Sequence, residues 1–176
     1  MADSAVQETR LLALDQASKL SGWAYFQNGE LKDWGKIRTE QEEIGKRLVT
    51  IRQELVNLIE KYQINQIAFE DIQLQTSVGN NVKTFKVLAN VYGVVLELAQ
   101  ELNIPYTIVS SNTWKSTLKI EGKTRNIQKK NAQAFVFNTY GVKATQDESD
   151  AICIGTHMTK SLKYGKIING NFDWSE

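Results

Sequence analysis

Four carboxylates stand where they can do chemistry together. Asp15 closes the apolar run Leu11-Leu12-Ala13-Leu14, and Glu70 closes the run from Ile64 to Phe69. Each run has the length and composition of a buried strand. An acid at the C-terminal end of such a strand lies where an α/β sheet opens its ligand crevice. Asp147 and Asp150 lie three apart at the start of a helical pattern, so both point from nearly the same face. A helix N-terminus also tolerates negative charge well. Four such oxygen donors repel one another unless cations fill the space between them. Hard divalent ions are the expected occupants, Mg²⁺ first, with Mn²⁺ able to substitute. Two such ions about 4 Å apart activate a water and stabilise the leaving oxygen of a phosphodiester. Singly, each acid has a plainer role: strand-end acids form turns, and an acid in the position of Asp147 caps a helix. It is the set that points to a metal centre.

Two neighbouring acids are excluded from that set. Alternation turns Asp71 to the sheet face opposite Glu70, and Glu148 leaves the shared face of its helix.

The second feature is charge. Between residues 115 and 130 stand Lys115, Lys119, Lys123, Arg125, Lys129 and Lys130 against Glu121 alone, a local +5 in a chain of net charge +1. A run of this kind is commonly a solvated face. Beside a metal centre it fits a floor for nucleic-acid phosphates, with salt-sensitive binding. Ser110, Ser111, Asn112 and Thr113 add hydrogen-bonding groups for a backbone, and Trp114 an aromatic ring within reach of DNA.

The elements that must position these groups follow from periodicity. Arg10 to Ile37 reads as three antiparallel strands, with Asn28-Gly29 a type I′ hairpin turn. Thr39 and Glu42 read as a capping box for a helix carrying Ile44, Leu48, Ile51, Leu55, Leu58 and Tyr62. A strand to Glu70, a polar loop and a broad apolar helix over Val82 to Leu102 come next. Then follow a strand from Tyr106 to Val109, a basic segment to Arg125, and helices over Asn126 to Asn138 and Asp147 to Met158. The order β-β-β-α-β-α-β-α-α predicts a three-layer α/β fold. Its five-stranded sheet is mixed, three strands antiparallel and then two parallel. The right-handed crossover rule places the strands ending at Asp15 and Glu70 side by side. Phe85, Leu88, Val91, Tyr92, Val95 and Leu96 cover more of the broad helix than one sheet face needs. Those six residues therefore read as a dimer interface.

Length and composition bound the rest. The 176 residues suit one domain over 10–160, with a flexible leader over 1–9 and a tail over 161–176. No apolar run approaches a membrane span, and the start lacks the pattern of a signal peptide. The single cysteine, Cys153, fits a reducing cytoplasm and reads as a small buried hydrophobe. His157, the only histidine, reads as structural.

The residues Leu12-Ala13-Leu14-Asp15 with Ser18 and Gly22-Trp23-Ala24, then Ile67-Ala68-Phe69-Glu70, carry a resemblance. With the basic segment Lys115 to Lys130 and Asp147-Glu148-Ser149-Asp150-Ala151, they resemble the RuvC-type Holliday junction resolvases of the RNase H-like superfamily. The resemblance runs from about Leu11 to Thr159. It implies metal-dependent paired nicking of four-way DNA junctions by a homodimer, with all four acids catalytic. It also implies basic groups near the scissile phosphate at Lys115 and Lys123. Two positions depart from the family's pattern. The turn after the first acid is Gln16-Ala17 in place of Pro-Gly, which is expected to loosen it. Three residues after the glutamate, where the family places a wedging aromatic, this chain has Gln73 followed by Leu74. Such divergence suits a phage or prophage member. Alternative readings on the same fold are an RNase H, another branched-DNA nuclease, or a junction-binding protein without catalysis.

Overall fold

The computed structural model describes residues 8–73 and 81–163. Residues 1–7 of the leader, Leu74 with the loop to residue 80, and residues 164–176 lie outside the described residues. Glu8 and Thr9 are tied to the sheet: Asn65 Nδ2 donates to Glu8 O at 2.7 Å, and Thr9 N–H to Asn28 Oδ1 at 3.0 Å.

Strands β1 (Arg10–Asp15), β2 (Leu20–Gln27) and β3 (Glu30–Arg38) form the expected antiparallel meander. Asn28 and Gly29 turn β2 into β3 with φ of 52° and 82°, the positive values that a type I′ turn requires. Helix α1 (Ile44–Tyr62) leads to β4 (Gln66–Glu70), and α2 (Asn81–Glu101) to β5 (Tyr106–Val109). The sheet order is β3-β2-β1-β4-β5, with β1–β4 and β4–β5 parallel. Leu14 pairs with Phe69, so Asp15 and Glu70 leave neighbouring strands at the same end.

Alternation sorts the side chains into two cores. Leu12, Leu14, Tyr25, Ile67 and Phe69 face α1 and α2. Leu11, Ala13, Ala24, Phe26 and Ala68 face α3 (Ser111–Leu118), α4 (Arg125–Tyr140) and α5 (Gln146–Lys163).

Three expectations are corrected here. The capping box at Thr39 does not form: α1 starts after Glu43 without a side-chain cap. Thr39 is instead buried, its hydroxyl donating to Ser18 O at 2.5 Å and its N–H to Lys19 O at 3.0 Å. It closes the strand turn and not the helix. The basic segment contains a helix of its own, α3, which Ser110 caps by accepting from Thr113 N–H at 3.1 Å. On α2, Val91, Tyr92 and Val95 are buried in the core of their own chain, so they are not a surface for a second subunit. Phe85, Leu88 and Leu96 are only half-buried.

Candidate active site

At the C-terminal end of β1 and β4 a cavity of about 580 Å³ opens, lined by Asp15, Glu70, Asp147 and Asp150 together. Three elements deliver them. Asp15 follows Leu11 and Ala13 on the α5 face, and Glu70 follows Ala68 on the same face. Helix α5 supplies the other two from its first turns. It comes close because Gly22, paired with Asp15, has no side chain: a Cβ there would lie 1.9 Å from Asp147 O. The start of α5 is held by the glutamate half of a capping box, which sequence reading missed. Glu148 Oε2 accepts from Thr145 N–H at 2.7 Å and from its hydroxyl at 2.9 Å. Glu148 is thereby used for folding, and Asp147 is left to the cavity.

The electrostatics are those of crowded acids. Burial, followed by the charges of Glu70, Asp150 and Asp147, pushes the Asp15 carboxyl well above the usual range. Burial and the charge of Asp150 raise Glu70 to about 6, against a hydrogen bond from the Ser111 side chain and the nearby Lys115 and Arg125. Burial likewise raises Asp150 to about 6, opposed by Lys129, Lys115 and Arg125 and reinforced by Asp147. Burial is the largest cause for each of these carboxyls, and the lysines and arginine beside Glu70 and Asp150 act against it. Among the described residues no three His, Cys, Asp or Glu side chains form a group that could hold an ion as they stand. A set of four carboxylates is nonetheless the donor chemistry of a hard divalent cation, and the residues fit one.

The basic residues are divided. Lys115, Lys123 and Arg125 line the same cavity, as does Gln73. Lys119 does not: it ends α3 in the left-handed conformation, with φ of 56°, and is exposed. Lys129 also lines the cavity and was legible only as part of the charge run. Phe85 and Leu88, expected at a dimer interface, line the cavity wall from α2. Trp114, expected within reach of DNA, is 1% exposed and packs in the core shared with α4 and α5, and it also borders the cavity. His157 is buried with Nδ1 3.0 Å from Thr117 Oγ1, and burial holds its pKa below the ordinary value. Cys153 is fully buried, and burial pushes its thiol up.

The turn after Asp15 is not loose. Ser21 Oγ accepts from Ala17 N–H at 2.9 Å and donates to Ala17 O at 2.7 Å. Gln16, expected with Ala17 to loosen this turn, is buried and hydrogen-bonded to the main chain of Glu70.

Comparison with known proteins gives a consistent result. One fold neighbour, the Thermus thermophilus RuvC in complex with Holliday junction substrate, superposes with a TM-score of 0.71 over 89% of this chain and 96% of that one, at 16% identity. The yeast mitochondrial Holliday junction resolvase Ydc2 superposes with a TM-score of 0.56 over 89% and 81%, also at 16% identity. Both are likenesses of fold, and the fold is RNase H-like. In sequence, the crossover junction endodeoxyribonuclease RuvC of Ehrlichia canis is 28% identical over 148 residues, covering 82% of this chain and 92% of its own. That of Magnetococcus marinus is 23% identical over 156 residues, covering 86% and 84%. Among the described residues no helix is long and apolar enough to cross a membrane. Residues 11–157 match the family of the crossover junction endodeoxyribonuclease RuvC, and the chain belongs to that family.

Proposed function

We propose that the cavity is a divalent-metal nuclease centre that resolves four-way DNA junctions in the cytoplasm. The observation that carries this is the meeting of Asp15, Glu70, Asp147 and Asp150 in one cavity whose lining also includes Lys115, Lys123 and Arg125. The four acids would hold Mg²⁺, two ions per site, with Mn²⁺ as substitute. Bound metal supplies an activated water and charge for the leaving oxygen. Lys115, Lys123, Arg125 and Lys129 attract the phosphodiester backbone into the cavity, with Gln73 at its edge and Lys119 contributing only at longer range. The domain spans 10–160.

The test compares a labelled four-way junction, an RNA–DNA hybrid and a linear duplex, each with Mg²⁺ or EDTA. Cleavage of the junction alone, and only with metal, is expected. Asp15→Asn is expected to abolish nicking while binding the junction at least as tightly, because it removes a negative charge beside the phosphates. Normal nicking by Asp15→Asn ends the metal reading, and preferential cutting of the hybrid favours an RNase H.

Two symmetric nicks need two sites, and an isologous pair supplies them. The proposed homodimer uses the part of α2 that its own sheet leaves open, with Phe85, Leu88 and Leu96 half-buried beside exposed Asn90 and Gly93. Sedimentation at micromolar concentration is expected to give a dimer; a strict monomer with and without junction rejects it.

A further inference from the structure

Glu70 lies where the sheet stops holding it on one side. The β1–β4 ladder runs from Leu11 with Gln66 to Leu14 with Phe69 and ends one residue short of both strand-end acids. Toward β5, Glu70 is still paired with Val109, and Asp71 N–H donates to Val109 O at 2.9 Å. Toward β1, a side chain takes over. Gln16 Nε2 donates to Glu70 O at 2.5 Å, and Glu70 N–H donates to Gln16 Oε1 at 3.1 Å. A primary amide offers the donor and acceptor that one further strand residue would offer. Gln16 is 7% exposed, so water is poorly placed to replace it. Residue 15 is the first acid, and residue 16 grips the main chain of the second.

We propose that Gln16 is a positioning residue: its carboxamide fixes Glu70 relative to Asp15 and so sets the affinity of the acid cluster for divalent cation. The inference rests on the metal-centre reading above and extends it to a residue of the cavity lining whose carboxamide is engaged with the main chain of Glu70. Without the amide, Glu70 O and N–H lose their partners toward β1, and the end of β4 shifts to find others. Four ligands from three elements tolerate little such movement, since a displacement of about 1 Å at a reacting centre can cost about a hundredfold in rate.

The experiment uses the full chain with Gln16→Met, which keeps length and removes both hydrogen bonds. Thr39→Val is the control, because it loosens the same turn through Ser18 O without touching Glu70. Mn²⁺ affinity is measured by electron paramagnetic resonance without DNA, junction affinity in EDTA, and single-turnover nicking at saturating junction. Gln16→Met is expected to bind Mn²⁺ about tenfold more weakly and to nick ten- to a hundredfold more slowly, with junction affinity within about twofold. Thr39→Val is expected to melt earlier and keep wild-type Mn²⁺ affinity. Unchanged Mn²⁺ affinity in Gln16→Met, or an equal loss in Thr39→Val, overturns the proposal. If the methionine variant does not fold, Gln16→Asn, whose amide is one methylene short, is judged by the same Mn²⁺ reading. Wild-type protein that binds Mn²⁺ but cuts no junction overturns the nuclease reading alone, and the Mn²⁺ comparison still decides Gln16.

Discussion

The two faces of the sheet are built from opposite materials. Toward α1 and α2 the strands present Leu12, Leu14, Trp23, Tyr25, Ile67 and Phe69, with Phe69 edge-on to Tyr92 and Tyr25 stacked on Tyr62. Toward α5 the same strands present Ala13, Gly22, Ala24 and Ala68 at the centre. Large side chains hold helices at a distance and bury much area. Small ones let a helix backbone come down onto the sheet. That approach brings two acids of α5 to two acids at strand ends. One face is therefore made for burial and the other for proximity.

This division is best broken by one substitution on each face. Gly22→Val drives a branched side chain into the main chain of Asp147, where even a Cβ would lie 1.9 Å from the carbonyl oxygen. Overpacking of this kind costs about 3 kcal/mol, and displacement of α5 is expected to lower nicking by about a hundredfold. Leu14→Ala, on a residue 1% exposed toward the other face, is expected to cost about 3 kcal/mol by leaving a cavity. Measured well below its melting temperature, it should nick at nearly the wild-type rate. Equal loss of nicking in the two variants removes the distinction between the faces.

Much of this was legible in the sequence, for physical reasons. Alternation in Leu11-Leu12-Ala13-Leu14-Asp15 assigns both core and acid, and an Asn-Gly pair with positive φ leaves little choice of turn. The misses share a cause: a local pattern had more than one partner available. Thr39-x-x-Glu42 has the letters of a capping box, yet the Thr39 hydroxyl is taken by Ser18 O, while in Thr145-x-x-Glu148 the glutamate does reach back to the threonine N–H and hydroxyl. Helix α3 has only Trp114 and Leu118 as buried residues, too few to show a period. The breadth of the apolar surface on α2 says that it is covered, but not whether by its own sheet or by a second copy. Gln16 carries no pattern at all, since its partner is a main chain 54 positions away.

A second contrast is electrostatic, because four acids are crowded where α5 meets the strand ends. The carboxyls of Glu70 and Asp150 are raised by burial to about 6 in the folded chain, above their ordinary values of 4.5 and 3.8. A raised acid favours folding in its protonated form. That contribution is full below the ordinary values and is lost as pH rises through about 6. The metal-free protein is thus expected to gain about 3 kcal/mol from these groups between pH 7.5 and pH 4.5, read from melting curves in EDTA. Mg²⁺ is expected to reverse the trend, stabilising more at pH 7.5, because its ligands must first lose their protons. A metal-free stability that does not change over this range, or that changes equally in Glu70→Gln/Asp150→Asn, contradicts the crowding.

The smallest test separates two acids that are adjacent in sequence. Asp147 lines the cavity, while Glu148 is hydrogen-bonded to both the N–H and the hydroxyl of Thr145. The first serves chemistry at the expense of stability, since it adds charge to a crowded site. The second serves stability alone, closing a helix start that must resist that same repulsion. Glu148→Ala is expected to lower stability by about 1 kcal/mol, the usual worth of a helix cap, and to leave nicking and Mg²⁺ dependence within about twofold. Asp147→Asn is expected to do the reverse, abolishing nicking while the metal-free protein melts no earlier than wild type. The sign of the stability change is the informative quantity, because either variant alone can be explained by general damage to α5. Should Glu148→Ala abolish nicking without loss of stability, the two acids have been assigned the wrong way round. The shared-face argument that pairs Asp147 with Asp150 then fails with them.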